Sequence, residues 1–214
     1  MDQIELDLPR AGLSYYENPT EEDLCRLRRI LLALATTMPT IGYCQGMDAM
    51  ALTILYHGYS EDETYRIMLP VVKRLRRLLT IPGDVARAQA EHLQAIINAK
   101  VPALAELLTE QFMSTETGMF WLLFHGLFID FGLRNVSEPM AVEMLNLLFR
   151  SANPAEAMND FVFSLIMQLE PKIRALPEFG LTPVIYNGFI LELETLEIQK
   201  CPKTTYWYRC FFKN

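Results

Sequence analysis

Hydrophobic residues recur at helical spacing along most of the chain, and polar residues that favour helix starts precede each periodic segment. Thr20 comes directly before the acidic residues 21–23, which suit the N-terminus of a helix and its dipole. The apolar stripe that follows is Leu24, Leu27, Leu31, Leu34 and Met38. Pro39 ends the pattern, because the residue before a proline disfavours helical geometry.

Two segments are apolar nearly all round and therefore predict buried helices. Residues 47–57 predict a central helix that ends at Gly58. Residues 118–133 form the longest apolar stretch, which contains His125 and Asp130 and is too short to cross a bilayer. A second buried helix is expected there, starting after Thr115 and ending at Gly132.

Further start signals divide the rest of the chain into helices. They are Ser60 before the acidic residues 61–63, Asp84 before an apolar face, Ser137 with Pro139, Asn153 with Pro154, and Thr182 with Pro183. Strand-forming residues are concentrated in 204–212 only. The pattern predicts a single all-α, multi-helix domain over residues 1–200, with roughly eight to ten helices, and an aromatic C-terminal tail at 201–214 that fits no predicted element.

Composition narrows the class of protein. The 214 residues are 51% apolar, enough to bury a substantial core, and the formal net charge is −7. An acidic balance disfavours nucleic acid as a partner. Four cysteines without zinc or disulfide-scaffold spacing indicate reduced thiols. The acidic first ten residues do not form a signal peptide, so a cytoplasmic protein is expected.

One polar cluster interrupts the helical plan between residues 41 and 47. Gly42 and Gly46 flank Tyr43, Cys44 and Gln45, so the backbone can turn sharply there. The ordinary interpretation is a turn between helices with Tyr43 packed inside.

A cysteine nucleophile at Cys44 is the sharper alternative, because Gly-Tyr-Cys-Gln-Gly superficially matches the caspase signature. That mechanism needs an upstream histidine, whereas His57, His92 and His125 all lie downstream. Cys44 is therefore interpreted as a small apolar residue.

A second polar cluster lies at the start of the chain, with Ile4, Asp7 and Arg10 spaced three apart. Taken alone, the Asp-Arg pair is ordinary and would contribute well under about 1 kcal/mol. Taken with Tyr43 and Gln45 about 35 residues later, the order Ile-x-x-Asp-x-x-Arg then Tyr-x-Gln resembles the TBC domain family, the GTPase-activating proteins for Rab GTPases. Fainter similarity covers residues 63–79, 120–121 and 139–149.

Several positions depart from the family's pattern. Asp48 stands where the family commonly has Asn, Ala11-Gly12 replaces Thr-Phe, and Met144-Leu145 replaces Trp-Asp. Helices that the family has upstream of the first motif are expected to be missing. These departures keep open a non-catalytic TBC-like scaffold that binds a GTPase or another protein, and an unrelated helical scaffold.

The resemblance implies a mechanism in trans, without an independent hydrolase active site. Arg10 would be an arginine finger and Gln45 a glutamine finger, supported by Asp7, Tyr43 and Gly46. The partner would be a GTP-bound Rab-family GTPase involved in vesicle trafficking. It would bring GTP and Mg²⁺ with it, so no cofactor or metal of the chain's own is expected. Membrane contact would be at most peripheral, on endomembranes.

A basic run, Lys73, Arg74, Arg76 and Arg77, stands out on the acidic chain. It is interpreted as a solvated helix face. Contact with an acidic GTPase surface or an anionic membrane is the alternative.

Overall fold

The computed structural model describes residues 2–79, 82–111 and 132–174, and their regular structure is helical. The helices are α1 (Asp2–Asp7), a 3₁₀ turn (Leu8–Arg10), α2 (Glu21–Thr37), α3 (Met47–Tyr56), α4 (Glu61–Leu79), α5 (Pro82–Lys100), α6 (Pro102–Gln111), α7 (Glu138–Arg150) and α8 (Pro154–Arg174). Within these ranges the only β pairing is an isolated bridge between Leu13 and Tyr16. The all-α prediction is confirmed.

Capping side chains fix the starts of α2 and α4 as the sequence predicts. The Asp23 N–H donates to Thr20 Oγ1 at 3.1 Å. At the start of α4, the Ser60 N–H donates to Glu63 Oε2 at 2.8 Å and the Glu63 N–H donates to Ser60 Oγ at 3.3 Å. This reciprocal pair is a capping box, which satisfies two backbone donors that the helix itself leaves without partners.

The remaining boundary predictions are confirmed in part. Helix α7 follows Ser137, and α8 begins at Pro154. The prediction that Asp84 caps α5 is wrong, because α5 begins two residues earlier at Pro82. Proline suits that first helical position, since its fixed φ is helical and its missing N–H costs no hydrogen bond. The predicted helix starts at Thr115 and Thr182 and the 201–214 tail lie outside the described residues.

Helix α3 occupies the centre of the core. All nine residues from 47 to 55 are buried, and α3 packs against α2, α4 and α7. Helix α2 and its C-cap residue Met38 contribute the predicted stripe, with Leu27, Leu31, Leu34 and Met38 buried and Leu24 partly buried. An apolar helix with neighbours on several sides is the expected centre of such a domain.

Arg74 corrects part of the interpretation of the basic run. Its guanidinium donates to the backbone oxygens of Phe149 and Ser151, at the C-terminal end of α7. Cations at this end of a helix satisfy carbonyls that have no partner within the helix and favour its dipole. Arg74 therefore joins α4 to α7 and is not merely solvated.

Within the part of the chain that the structure describes, every helix is too short or too polar to span a bilayer.

Candidate functional site

The 3₁₀ turn places Arg10 on the surface beside a well-anchored helix. Ile4 and Leu8 are 1% and 8% exposed, and they hold α1 in the core. The Arg10 side chain is 74% exposed, and its Nη2 lies 4.0 Å from Asp7 Oδ1. Its Nε donates to the Leu6 carbonyl at 3.2 Å. Arg10 thus projects outward from a short turn whose apolar neighbours are fixed.

Asp7 connects the first motif (Ile4, Asp7 and Arg10) to the second motif (Tyr43 and Gln45). The Tyr43 hydroxyl donates to Asp7 Oδ2 at 2.9 Å, across 36 positions of sequence. Gln3 Nε2 donates to the other carboxylate oxygen, Oδ1, at 3.0 Å. Asp7 lies three residues before Arg10, and Tyr43 lies two before Gln45. The structure therefore brings the two sequence motifs together through one buried carboxylate.

Tyr43 remains a hydrogen-bond donor at any ordinary pH. Burial, followed by the nearby negative charges of Asp48 and Asp7, raises the pKa of its phenol well above the usual value. Hydrogen bonds to a charged acceptor are stronger than neutral ones. The bond to Asp7 is therefore a durable link between the motifs.

Two left-handed glycines shape the loop that carries Gln45. Gly42 has φ +68° and Gly46 has φ +94°, values that side-chain-bearing residues rarely adopt. Gly46 is buried at the N-cap of α3, and its N–H donates to Asp48 Oδ1 at 3.1 Å. Gln45 is exposed between these restraints. The loop thus presents an amide side chain from a backbone that is held on both sides.

Cys44 has the properties of a core residue and not of a nucleophile. It is 7% exposed, and burial raises the pKa of its thiol. A reactive cysteine needs the thiolate, which an electropositive and accessible setting favours. Its Sγ lies 3.6 Å from the Ile41 carbonyl. The interpretation of Cys44 as a small apolar residue is supported.

Arg134 is a site residue that the sequence did not indicate. It lies in the loop before α7, and its Nη1 donates to the Gly12 carbonyl at 3.0 Å and to the Arg10 carbonyl at 3.4 Å. Its Nη2 donates to the carboxylate of Asp48. These contacts span more than 80 positions of sequence, so local pattern gives no sign of them. The sequence signal was instead Asp48, an acid inside an apolar helix.

Among the described residues, no group of three or more histidine, cysteine, aspartate or glutamate side chains is arranged to hold a metal ion.

Comparison with known protein families identifies the domain that carries these residues. The sequence model of the Rab-GTPase-TBC domain family matches residues 1–173, which include both motifs, Asp48 and Arg134. The chain belongs to the Rab-GTPase-TBC domain family. The resemblance inferred from the two motifs is thereby confirmed at the level of the family.

Similar proteins agree with that assignment. TBC1 domain family member 2A of Rattus norvegicus is 27% identical over 157 residues, which cover 70% of this chain and 17% of that protein. Its Mus musculus counterpart is 28% identical over 178 residues, covering 80% of this chain and 19% of that protein. TBC1 domain family member 2B of Xenopus tropicalis is 31% identical over 133 residues, covering 60% and 14% respectively. The TBC domain here thus matches less than a fifth of the length of these relatives.

Removing the Tyr43 hydroxyl is expected to weaken the TBC domain. Tyr43→Phe leaves Asp7 without one donor, and we expect the free energy of unfolding to fall by about 1.5 to 3 kcal/mol, the range for hydrogen bonds to charged groups. Urea denaturation measures this loss. Tyr65→Phe is the matched control, because its hydroxyl contacts Thr37 Oγ1 at 2.8 Å on the exposed surface. Equal losses in the two variants would show that the Tyr43–Asp7 bond does not specially join the motifs.

Proposed function

We propose that this TBC domain activates GTP hydrolysis by a Rab-family small GTPase, supplying Arg10 and Gln45 to the GTPase's active site. Membership of the Rab-GTPase-TBC domain family supports the partner class. The observation that carries the proposal is the Tyr43–Asp7 hydrogen bond of 2.9 Å. This bond joins the turn that carries the exposed Arg10 to the loop that carries the exposed Gln45.

Arg10 suits stabilisation of charge on the transferring phosphoryl group. A guanidinium is always charged, and its planar donors match phosphate oxygens. An arginine supplied in trans raises GTP hydrolysis by roughly 10³ to 10⁵ in known systems. At about 1.4 kcal/mol per decade, this corresponds to roughly 4 to 7 kcal/mol of the barrier. The fixed turn around Arg10 matters because a preorganised charge costs little reorganisation during the reaction.

Gln45 suits orientation of the attacking water. Its neutral amide offers both a donor and an acceptor, so it can hold a water molecule and receive one of its hydrogen bonds. This is the role that a GTPase's own glutamine performs. Gly42 and Gly46 adopt positive φ values, which allow the sharp backbone turns that leave this amide exposed to a partner.

Supporting roles follow from the contacts of the remaining motif residues. Asp7 would hold the 3₁₀ turn that carries Arg10, Tyr43 would fix the glutamine loop, and Gly46 would allow its left-handed turn. In this proposal GTP and Mg²⁺ arrive with the GTP-bound GTPase, so the TBC domain contributes no cofactor. The protein would act in the cytoplasm on Rab GTPases of vesicle trafficking, with peripheral contact to endomembranes.

The direct test is phosphate release from a panel of GTP-loaded Rab GTPases under single-turnover conditions. We expect the TBC domain to accelerate release from at least one of them. Binding of each GTPase is measured in parallel, together with circular dichroism of the TBC domain as a control for folding. Binding without acceleration by a well-folded sample would contradict the proposal and favour a non-catalytic scaffold. If no GTPase of the panel is bound or accelerated, that result would also contradict a Rab GTPase as the partner.

A further inference from the structure

Arg134 lies where the two motif loops meet. Its Nη1 reaches the backbone of the first loop, through the carbonyls of Gly12 at 3.0 Å and Arg10 at 3.4 Å. Its Nη2 reaches Asp48, the second residue of α3, the helix that follows the glutamine loop. The Arg134 guanidinium therefore contacts the main chain of the loop that carries Arg10 and the carboxylate of Asp48, three residues after Gln45.

Asp48 passes this contact on to the glutamine loop. Its side chain is 1% exposed, and its Oδ1 accepts the Gly46 N–H at 3.1 Å while Oδ2 accepts from Arg134. A carboxylate buried this deeply is stable only when it is paired and hydrogen-bonded. Gly46 is the residue directly after Gln45. The chain of contacts thus runs from the Arg10 carbonyl through Arg134 and Asp48 to the neighbour of Gln45.

The main chain around Arg134 is also fixed to the first loop. The Ser14 N–H donates to the Arg134 carbonyl at 2.9 Å, and Ser14 Oγ donates to the Val136 carbonyl at 2.5 Å. The guanidinium therefore projects from a backbone that is itself attached to residues 12–14. Its position is set before any partner binds.

We infer that Arg134 is a positioning residue, which sets the spacing of the arginine and glutamine loops through its contacts with Gly12 and Asp48. The inference rests on the proposed function for its catalytic consequence. Arg134 acts through Arg10 and Gln45 and does not itself touch the reacting atoms. The Tyr43–Asp7 bond links the motifs at one point, and Arg134 supplies a second. Two separate links resist rotation of one loop against the other, which a single hydrogen bond does not.

Arg134→Lys separates positioning from simple charge pairing. A lysine ammonium can pair with Asp48, but it lacks the planar fork that reaches the carbonyls at the same time. Small misplacements of catalytic groups can cost about 10²-fold in rate. We expect kcat for the stimulated GTPase to fall about 10-fold, while KM for the GTPase changes less than about twofold.

Arg26→Lys is the matched control. Arg26 also bridges a carboxylate and a backbone carbonyl, with Nη1 at 3.2 Å from Asp23 Oδ1 and Nη2 at 2.8 Å from the Tyr59 oxygen. Its side chain is 23% exposed, against 21% for Arg134. A merely structural role would give the two variants similar losses of stability and unchanged kcat. An unchanged kcat in Arg134→Lys would overturn the inference.

Asp48→Asn tests the same link from its other end. The double variant Arg134→Lys/Asp48→Asn should be no slower than the slower single variant, because both changes break one connection. If the fold-losses in kcat of the two single variants multiply in the double variant, Arg134 and Asp48 act independently, which would overturn the inference.

Hydrogen exchange decides the inference independently of activity. In Arg134→Lys, amide exchange should accelerate together in peptides covering residues 10–14 and 44–48, and should stay unchanged at the start of α2. Acceleration in only one of the two loops, or in neither, would overturn the inference even if no GTPase responded to the wild-type chain. Failure of the proposed function would instead be seen in the wild-type chain itself, as absence of stimulated hydrolysis.

Discussion

Arg10→Lys is expected to abolish most of the GTPase-activating activity while leaving the fold and GTPase binding nearly intact. Lysine keeps the positive charge but loses the bidentate fork that matches phosphate oxygens. The expected loss in the stimulated rate is up to the full contribution of an arginine finger, roughly 10³ to 10⁵-fold. Because the Arg10 side chain is 74% exposed, its replacement leaves the core undisturbed. Single-turnover phosphate release gives the rate, and titration of the GTPase gives its affinity.

Arg28→Lys is the control for loss of a guanidinium near α1. Arg28 is 52% exposed and its Nε lies 2.6 Å from Glu5 Oε1. An exposed pair of this kind is worth about 0 to 1 kcal/mol, so activity should be unchanged. Wild-type rates in Arg10→Lys would mean that charge alone suffices or that the finger lies elsewhere. Equal losses in both variants would point to general damage to α1.

Gln45→Ala is expected to lower the stimulated rate by about 10²-fold, the scale set by loss of a positioning contact. The exposed amide makes no contribution to the core, so stability should change little. Stopped-flow phosphate release at saturating TBC domain isolates this effect from binding. KM for the GTPase should remain close to the wild-type value. Gln45 orients the attacking water only after the GTPase has bound, so its loss should not weaken binding.

Cys44→Ser is the neighbouring control, and it separates activation in trans from thiol chemistry. A hydroxyl is close in size to the thiol, and Cys44 is buried beside the Ile41 carbonyl, so hydrolysis should be nearly unaffected. An inactive but folded Cys44→Ser variant would contradict the assignment of Gln45, and not Cys44, as the residue of this loop that acts in hydrolysis.

Local chemistry explains why much of the fold could be predicted. The Thr20 cap, the Ser60–Glu63 capping box and the Pro154 start each depend on residues within one helical turn. The burial of α3 follows from its composition alone. The predicted start at Asp84 is wrong because two competing start signals, a proline and an acid, lie two residues apart, and Pro82 occupies the first helical position.

The candidate site was predictable only in part. Arg10 and Gln45 were located by resemblance, and Asp7 and Tyr43 with them. From the sequence, Asp48 is only a departure from the Asn that the family commonly has. An acid inside an apolar helix needs a partner, but no local pattern says which cation reaches it. Arg134 is 86 positions away from Asp48 in sequence. Such a pairing depends on how α3 and the loop before α7 pack, which no local pattern records.

The measurement that tests the account most directly uses a Rab GTPase whose own catalytic glutamine is changed to alanine. If Gln45 supplies this function in trans, the wild-type TBC domain should still accelerate hydrolysis by that GTPase in part. Gln45→Ala, tested on the same altered GTPase so that neither glutamine is present, should then give a much lower rate, because only the contribution of Arg10 remains. Complete insensitivity of the altered GTPase to the wild-type domain, with binding intact, would contradict the two-finger mechanism and leave Gln45 a structural residue.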